Sequence, residues 1–273
     1  MFEYATAAVE GALAAGASYA DARVVATKTE AIEVLNLQLQ SVDRTETIGV
    51  GVRALIGSSW GFYATAELTE AAARDAGARA AAVAKASARV AGPPLDLADV
   101  PVEEASWETP YTEHWSDVSL SEKVDMLVDV TGTMAGVEGI ALARANLGFY
   151  DTDKWFVSSQ GHRIHQHIVE SGGGYDATAL GEAETQRRSY PQSFGQYETG
   201  GYETVRAWDY QGNAQRIAEE AVQLLTAAEC PEGEKTLILE GSQLALQIHE
   251  SVGHAIELDR ILDPSAVADN RFQ

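Results

Sequence analysis

Between Ala20 and Thr65 apolar and polar residues alternate again and again, the pattern of strands that bury one face. Ile32, Val34, Leu37 and Leu39 interleave with polar neighbours, and Ile48, Val50 and Val52 repeat the period of two. The segment reads as three or four antiparallel strands, with "IGSSWG" as a hairpin turn. Helical patterns bracket it. Glu3 to Ala15 is alanine-rich, carries apolar positions at helical spacing and stops at Gly16. "TAELTEAAARDAGARAAAVAKASARV" is amphipathic, opened by a cap at Thr65 or Thr69 and closed by Gly92-Pro93-Pro94. Together these form a helix–strands–helix unit over residues 1–92.

Residues 93–115 are rich in proline and acids and lack a clean period, so they read as a linker or a surface-hugging loop. A second unit over 116–230 repeats the order of the first. Its opening helix is "SLSEKVDMLVDVTGTMAG", its strands lie around "IALARANLGFYDTDKWFVSSQGHRIHQHIVESGGGYDATALGE", and its closing helix, "DYQGNAQRIAEEAVQLLTAAEC", ends before Pro231. Beyond "PEGEKT" a strand, "LILE", leads into a helix from about Ser242 to Leu262, stopped at Asp263-Pro264. The fold class is therefore α+β. Two helix–strands–helix units with antiparallel sheets precede the first strand and helix of a further domain, 231–273, which the chain barely begins.

The formal net charge is −22, from 41 acidic and 19 basic residues spread along the chain. Such a field repels phosphate backbones and anionic membranes, so neither nucleic acid nor a membrane is an expected partner. The single cysteine, Cys230, allows no intrachain disulfide and fits a reducing cytoplasm. The N-terminal stretch has acidic residues where an export signal needs basic ones, and no long apolar run follows.

Chemistry concentrates in "LALQIHESVGHAIELDR", which sets His249 beside Glu250 and returns His254 after Ser251-Val252-Gly253. Two imidazoles and a carboxylate suit a zinc site in which the carboxylate acts as general base toward water. The spacing is one residue longer than the H-E-x-x-H signature. At roughly 100° per residue, positions i and i+5 on a regular helix lie about 140° apart and would not aim at one ion. A local bulge restores the alignment, and Gly253 lowers the cost of that distortion. From spacing alone, satisfied core or surface histidines remain an open alternative to a metal site. A third ligand is missing. Glu257 is placed to reach a shared metal, Asp259 and Asp263 less so, and Cys230 reads as a small apolar residue at a helix end.

"GHRIHQHIVESGGG" holds a second cluster, His162, His165 and His167, of which His165 and His167 share one face of a strand. No acidic partner lies nearby in the sequence, so a structural or substrate-contact role is expected. "SGGGY" and "ETGGYET" lack the form of a phosphate loop and read as substrate-facing loops or ordinary turns, with Phe194, Tyr197 and Tyr202 as candidates to pack on an extended peptide. No G-x-S-x-G nucleophile motif is present.

"GASYADARV", "GVGVRALIGSSWGFYAT" and "LALQIHESVGHAIELDR" together resemble landmarks of the TldD/PmbA family, also labelled modulators of DNA gyrase, in that family's order. The H-E-x-x-x-H element resembles the TldD-type branch. The resemblance implies a cytoplasmic zinc metallopeptidase that trims unfolded peptides and works as a dimer with a silent PmbA/TldE-type sister subunit or with itself. It assigns His249 and His254 as zinc ligands and Glu250 as the catalytic glutamate. His165, His167, Tyr197 and Tyr202 stand as candidate substrate contacts. In the family a downstream cysteine completes the zinc site, and no residue up to Gln273 matches it. The expectation is an N-terminal fragment, inactive alone, binding zinc weakly or not at all. The alternative is a non-catalytic peptide-binding or assembly subunit.

Overall fold

A computed structural model of the chain describes residues 1–88, 95, 97–192 and 195–257. It divides into two compact units, Met1–Thr226 and Ala227–Gln273.

In the first unit α1 (Phe2–Ala14) leads into β1 (Tyr19–Leu35), β2 (Gln38–Ile56), β3 (Ser59–Thr65) and α2 (Glu70–Ser87). After β4 (Glu104–Glu108) and a 3-10 turn at Trp115–Asp117 come α3 (Leu120–Ala135), β5 (Ile140–Ser158), β6 (Arg163–Leu180), β7 (Thr185–Tyr190), β8 (Gln196–Thr199), α4 (Tyr202–Ala207) and α5 (Tyr210–Leu224). Of the two expected caps of α2, Thr69 forms, and Ser119 caps α3. Thr69 accepts from the Ala72 amide and Ser119 from the Glu122 amide, each satisfying one of a helix's orphan donors. Gly16 takes φ +99° after α1. The closing Gly92-Pro93-Pro94 lies outside the described residues.

The α+β class holds, with one difference in architecture. The strands of both helix–strands–helix units belong to one sheet, ordered β3-β2-β1-β5-β6-β4, with β7 and β8 also on β6. The join is β1 with β5, antiparallel from Asp21↔Ser158 to Leu35↔Arg144. Pairing these two long strands satisfies backbone groups that separate sheets would leave as open edges. A second difference lies in the β1–β2 hairpin. Asn36 and Leu37, with φ of 47° and 64°, form its two-residue turn, so Leu37 is not a strand position. The Asn36 side chain anchors that turn by accepting from the Ala143 amide at 2.8 Å.

Within residues 93–115, β4 was not legible as a strand. It pairs in parallel with β6, Glu104↔Arg163 to Glu108↔His167, and all five of its residues are exposed. With neither face buried, nothing selects an alternating sequence.

One face of the sheet carries two cores. Ala20, Ala22, Val24, Val50, Val52 and Ala54 pack against α1 and α2, which cross so closely that a Cβ on Gly77 would stand 2.0 Å from the Ala8 carbonyl oxygen. Ile32, Val34, Ala145, Leu147 and Phe149 pack with α3 and α5 residues such as Leu127, Val130, Ile217 and Ala221. Between the cores, the register places Ala26, Lys28, Ile48, Glu46, Asp151, Asp153, His165 and His167 on that same face. A cavity of about 410 Å³ lies over much of this polar belt. At its border Lys123 and Glu30, 1% and 2% exposed, form a buried ion pair at 2.6 Å. Arg44 Nε donates to the second Glu30 oxygen at 2.6 Å, and the Lys123 ammonium sits 4.7 Å from the centre of the Phe149 ring.

In the second unit α6 (Gly241–Ile248) runs into a π turn at His249–Gly253 and a 3-10 turn at His254–Ile256. Two expectations are corrected here. The "LILE" segment forms no strand: Leu237 and Ile238 are 76% and 90% exposed, and without a ladder partner an extended segment gains no strand hydrogen bonds. The helix before it, α5, ends at Leu224 and leaves Cys230 exposed, not buried at a helix end. The expected stop at Asp263-Pro264 lies outside the described residues.

Candidate metal centre

The motif helix changes its winding twice within eight residues. Through Ile248 it is α-helical. The His254 amide then donates to the His249 carbonyl, an i to i+5 bond that takes one extra residue into the turn. That turn supplies the alignment a shared ion would need. Ligand atoms of His249, Glu250 and His254 all lie within 4.8 Å of one another, and the two imidazole rings meet edge to face with centroids 4.5 Å apart. Two neutral imidazole nitrogens and a carboxylate oxygen at this separation fit a borderline-soft divalent ion such as zinc. The Glu250 carboxylate, 60% exposed and 3.8 Å from His254 Nε2, is open to water.

Two details depart from the sequence reading. Gly253 sits at φ −55° and ψ −57°, and a Cβ there would meet only the Ile248 oxygen, at an ordinary 3.7 Å. The bulge therefore does not draw on glycine's conformational freedom. Glu257 does not join the converging trio: its Oε1 lies 2.8 Å from His254 Nδ1, on the other nitrogen of the ring. Asp259 and Asp263 lie outside the described residues. Among the described residues no further His, Cys, Asp or Glu completes this group.

The second histidine cluster is in the first unit, and it does have acidic partners. His165 Nε2 lies 2.7 Å from Asp153 Oδ1, and the ring stacks on Trp155 at 5.0 Å. His167 Nε2 lies 2.8 Å from Asp151 Oδ1, and its Nδ1 3.3 Å from Glu108 Oε1. The β5–β6 hairpin supplies the aspartates, since Asp153 stands opposite His167 and Trp155 opposite His165. The shared two-residue spacing of Asp151-Thr152-Asp153 and His165-Gln166-His167 was the signal available in the sequence. His162 is buried, and its Nδ1 accepts from the Glu103 amide at 3.1 Å. Burial works to lower the His167 pKa, but hydrogen bonds to Asp151 and Glu108 outweigh it and raise the pKa above the ordinary histidine value.

The glycine-rich "SGGGY" is strand, not loop, and lies buried inside β6. Its glycines make room: a Cβ on Gly172 would stand 2.2 Å from Tyr197 Cδ1, because the Tyr197 ring lies across Gly172 and Gly148. Tyr197 is half exposed, whereas Tyr202 is 1% exposed and packs in the core against Phe149. The structure thus presents Tyr197 at the surface and keeps Tyr202 inside. Phe194 lies outside the described residues.

The family described as PmbA/TldA metallopeptidase domain 1 matches residues 20–87. The chain is 26% identical over 272 residues to a metalloprotease of Methanothermobacter thermautotrophicus, covering 93% of this chain and 54% of that protein. It is 25% identical over 255 residues to a metalloprotease of Methanocaldococcus jannaschii, covering 93% and 55%. Residues 20–87 match the first domain of that family, and most of the chain is similar to the two metalloproteases. The chain spans about half the length of these curated relatives.

Solved structures share the fold. A Bacteroides thetaiotaomicron protein named as a modulator of DNA gyrase aligns with a TM-score of 0.65 at 14% identity, covering 81% of this chain and 49% of that one. TldE of Thermococcus kodakarensis aligns at 0.52 and 13% identity, covering 80% and 46%. No helix among the described residues is long and apolar enough to cross a membrane.

Proposed function

We propose that this chain carries the metal-binding helix of a TldD-type zinc peptidase that acts on unfolded peptides in the cytoplasm. The observation that supports it best is the i to i+5 turn, which brings His249 and His254 together although a regular helix would part them. His249 and His254 would hold the zinc. When bound, zinc supplies the Lewis acidity that makes water a competent nucleophile near neutral pH. Glu250 then takes a proton from the attacking water and returns it to the leaving amine, the work of a general base that becomes a general acid. Its exposure leaves it the access that role needs.

Among the described residues two imidazoles and Glu250 converge without a further His, Cys, Asp or Glu, so weak zinc binding is the expectation for residues 1–273 by themselves. The family supports a dimer with a PmbA/TldE-type subunit or with a second copy. His165, His167 and Tyr197 are the proposed substrate contacts of the first unit, His167 because it lines the cavity over the polar belt. Tyr202 would contact substrate only if it left the core.

Zinc titration of the chain and of its His249→Ala and His254→Ala variants tests the reading. Weak binding lost in both variants supports it, and binding indifferent to both sinks it. A chelator-insensitive cleavage of unfolded peptide would equally sink it.

A further inference from the structure

The two nitrogens of His254 face different carboxylates. Nδ1 lies 2.8 Å from Glu257 Oε1, whereas Nε2 faces Glu250 Oε2, a carboxylate of the converging trio, at 3.8 Å. The backbone explains why both contacts exist. The π turn brings residue i+5 over residue i, pairing His249 with His254. The 3-10 turn that follows immediately, His254–Ile256, eclipses positions i and i+3 and so sets Glu257 under His254. Had the chain stayed α-helical throughout, the His249–His254 pairing would not hold, since i and i+5 lie about 140° apart.

An ionised carboxylate only accepts hydrogen bonds, so the nitrogen that faces Glu257 must carry the hydrogen. In the neutral ring this leaves the Nε2 lone pair free and directed to the shared point. We propose that Glu257 is a positioning residue: it holds His254 in the Nδ1–H tautomer and presents Nε2 to the metal. The proposal rests on the metal-site reading above. It gives Glu257 a role distinct from that of a ligand, since its carboxylate stands behind the ring. Such carboxylate–histidine partners orient the ring and raise its basicity, and their loss typically costs about 10- to 100-fold in metal affinity.

The test uses the whole chain with Glu257→Ala and Glu257→Gln variants and two readouts. Long-range proton–nitrogen NMR of the metal-free protein reports the His254 tautomer, and competition with a chromophoric chelator reports affinity for Zn²⁺. The expected result is an Nδ1–H tautomer in the parent chain and a mixed population in Glu257→Ala, with about 10- to 100-fold weaker zinc binding. Glu257→Gln, whose amide oxygen still accepts from Nδ1, restores the tautomer and most of the affinity. An unchanged tautomer and affinity in Glu257→Ala overturns the proposal. A Glu257→Gln variant with the parent tautomer but affinity as poor as Glu257→Ala makes Glu257 a ligand and overturns it too. If His249→Ala leaves zinc binding intact, the metal-site reading fails instead, and the tautomer measurement still decides what Glu257 does to His254.

Discussion

His167 Nε2 and Asp151 Oδ1 stand 2.8 Å apart across the β5–β6 ladder, while the other ring nitrogen faces Glu108 of β4. Ionised carboxylates only accept, so the ring satisfies both partners only when both nitrogens carry hydrogen. The arrangement favours an imidazolium that ties three strands together. Asp151, Asp153 and Glu108 all support the charge, and burial works against it.

The pH dependence follows with a definite sign. The folded His167 pKa is raised above 6.5, so its contribution to stability is fully present below about 6.5 and is lost as pH rises through the folded value. Urea denaturation followed across this window should show the first unit losing stability with rising pH, and Asp151→Asn should flatten that loss. A parent and variant with parallel profiles would falsify the assignment.

Lys123 and Glu30 pair at 2.6 Å with almost no exposure. Removing one member leaves a buried charge without its partner, a loss of about 3–5 kcal/mol for such pairs. Lys123→Ala should fall near that range in equilibrium unfolding. Arg44, itself 60% exposed, still reaches Glu30, so the cost is expected at the lower end. Replacing both residues with apolar ones of similar volume, Lys123→Met with Glu30→Leu, should recover most of it, and a double variant as unstable as the single one contradicts this account.

At the α1–α2 crossing, Gly77→Ala forces a methyl to within 2.0 Å of a backbone oxygen and 2.7 Å of the Ala12 nitrogen. Backbone atoms cannot swing aside, so the helices must separate. Overpacking of this kind costs typically about 1–3 kcal/mol, and calorimetry should find at least that loss.

Gly253→Ala makes the opposite prediction. The backbone there is ordinary right-handed helix and the nearest non-neighbour atom is 3.7 Å from a built Cβ. Zinc affinity should be unchanged, and the local helix should gain about 1 kcal/mol from the better helix former. A large loss of zinc binding would show that the π turn depends on glycine after all.

Much of the candidate site was legible because its constraints are local. For two histidines at H-E-x-x-x-H spacing to share an ion the helix must bulge, and a π turn stands at His249–Gly253. The reach of Glu257 was legible from its i+3 spacing, but not which side of the His254 ring it meets, because that depends on the ring's orientation. The acidic partners of His165 and His167 were missed for a different reason: they lie 12 and 16 residues away and meet them only once the hairpin register is set.

Strand alternation, the Thr69 helix cap and the turn between β2 and β3 were determined by the sequence alone, since each rests on steric and hydrogen-bonding preferences within a few residues. Tertiary structure decided that the two halves share a sheet, as Thr27 and Thr152, 125 residues apart, meet across β1 and β5. It also decided that an exposed segment becomes β4 and that Lys123 goes inside. Those outcomes depend on which strand edges find partners and which buried charges find counter-charges, and neither is a property of any short stretch of chain.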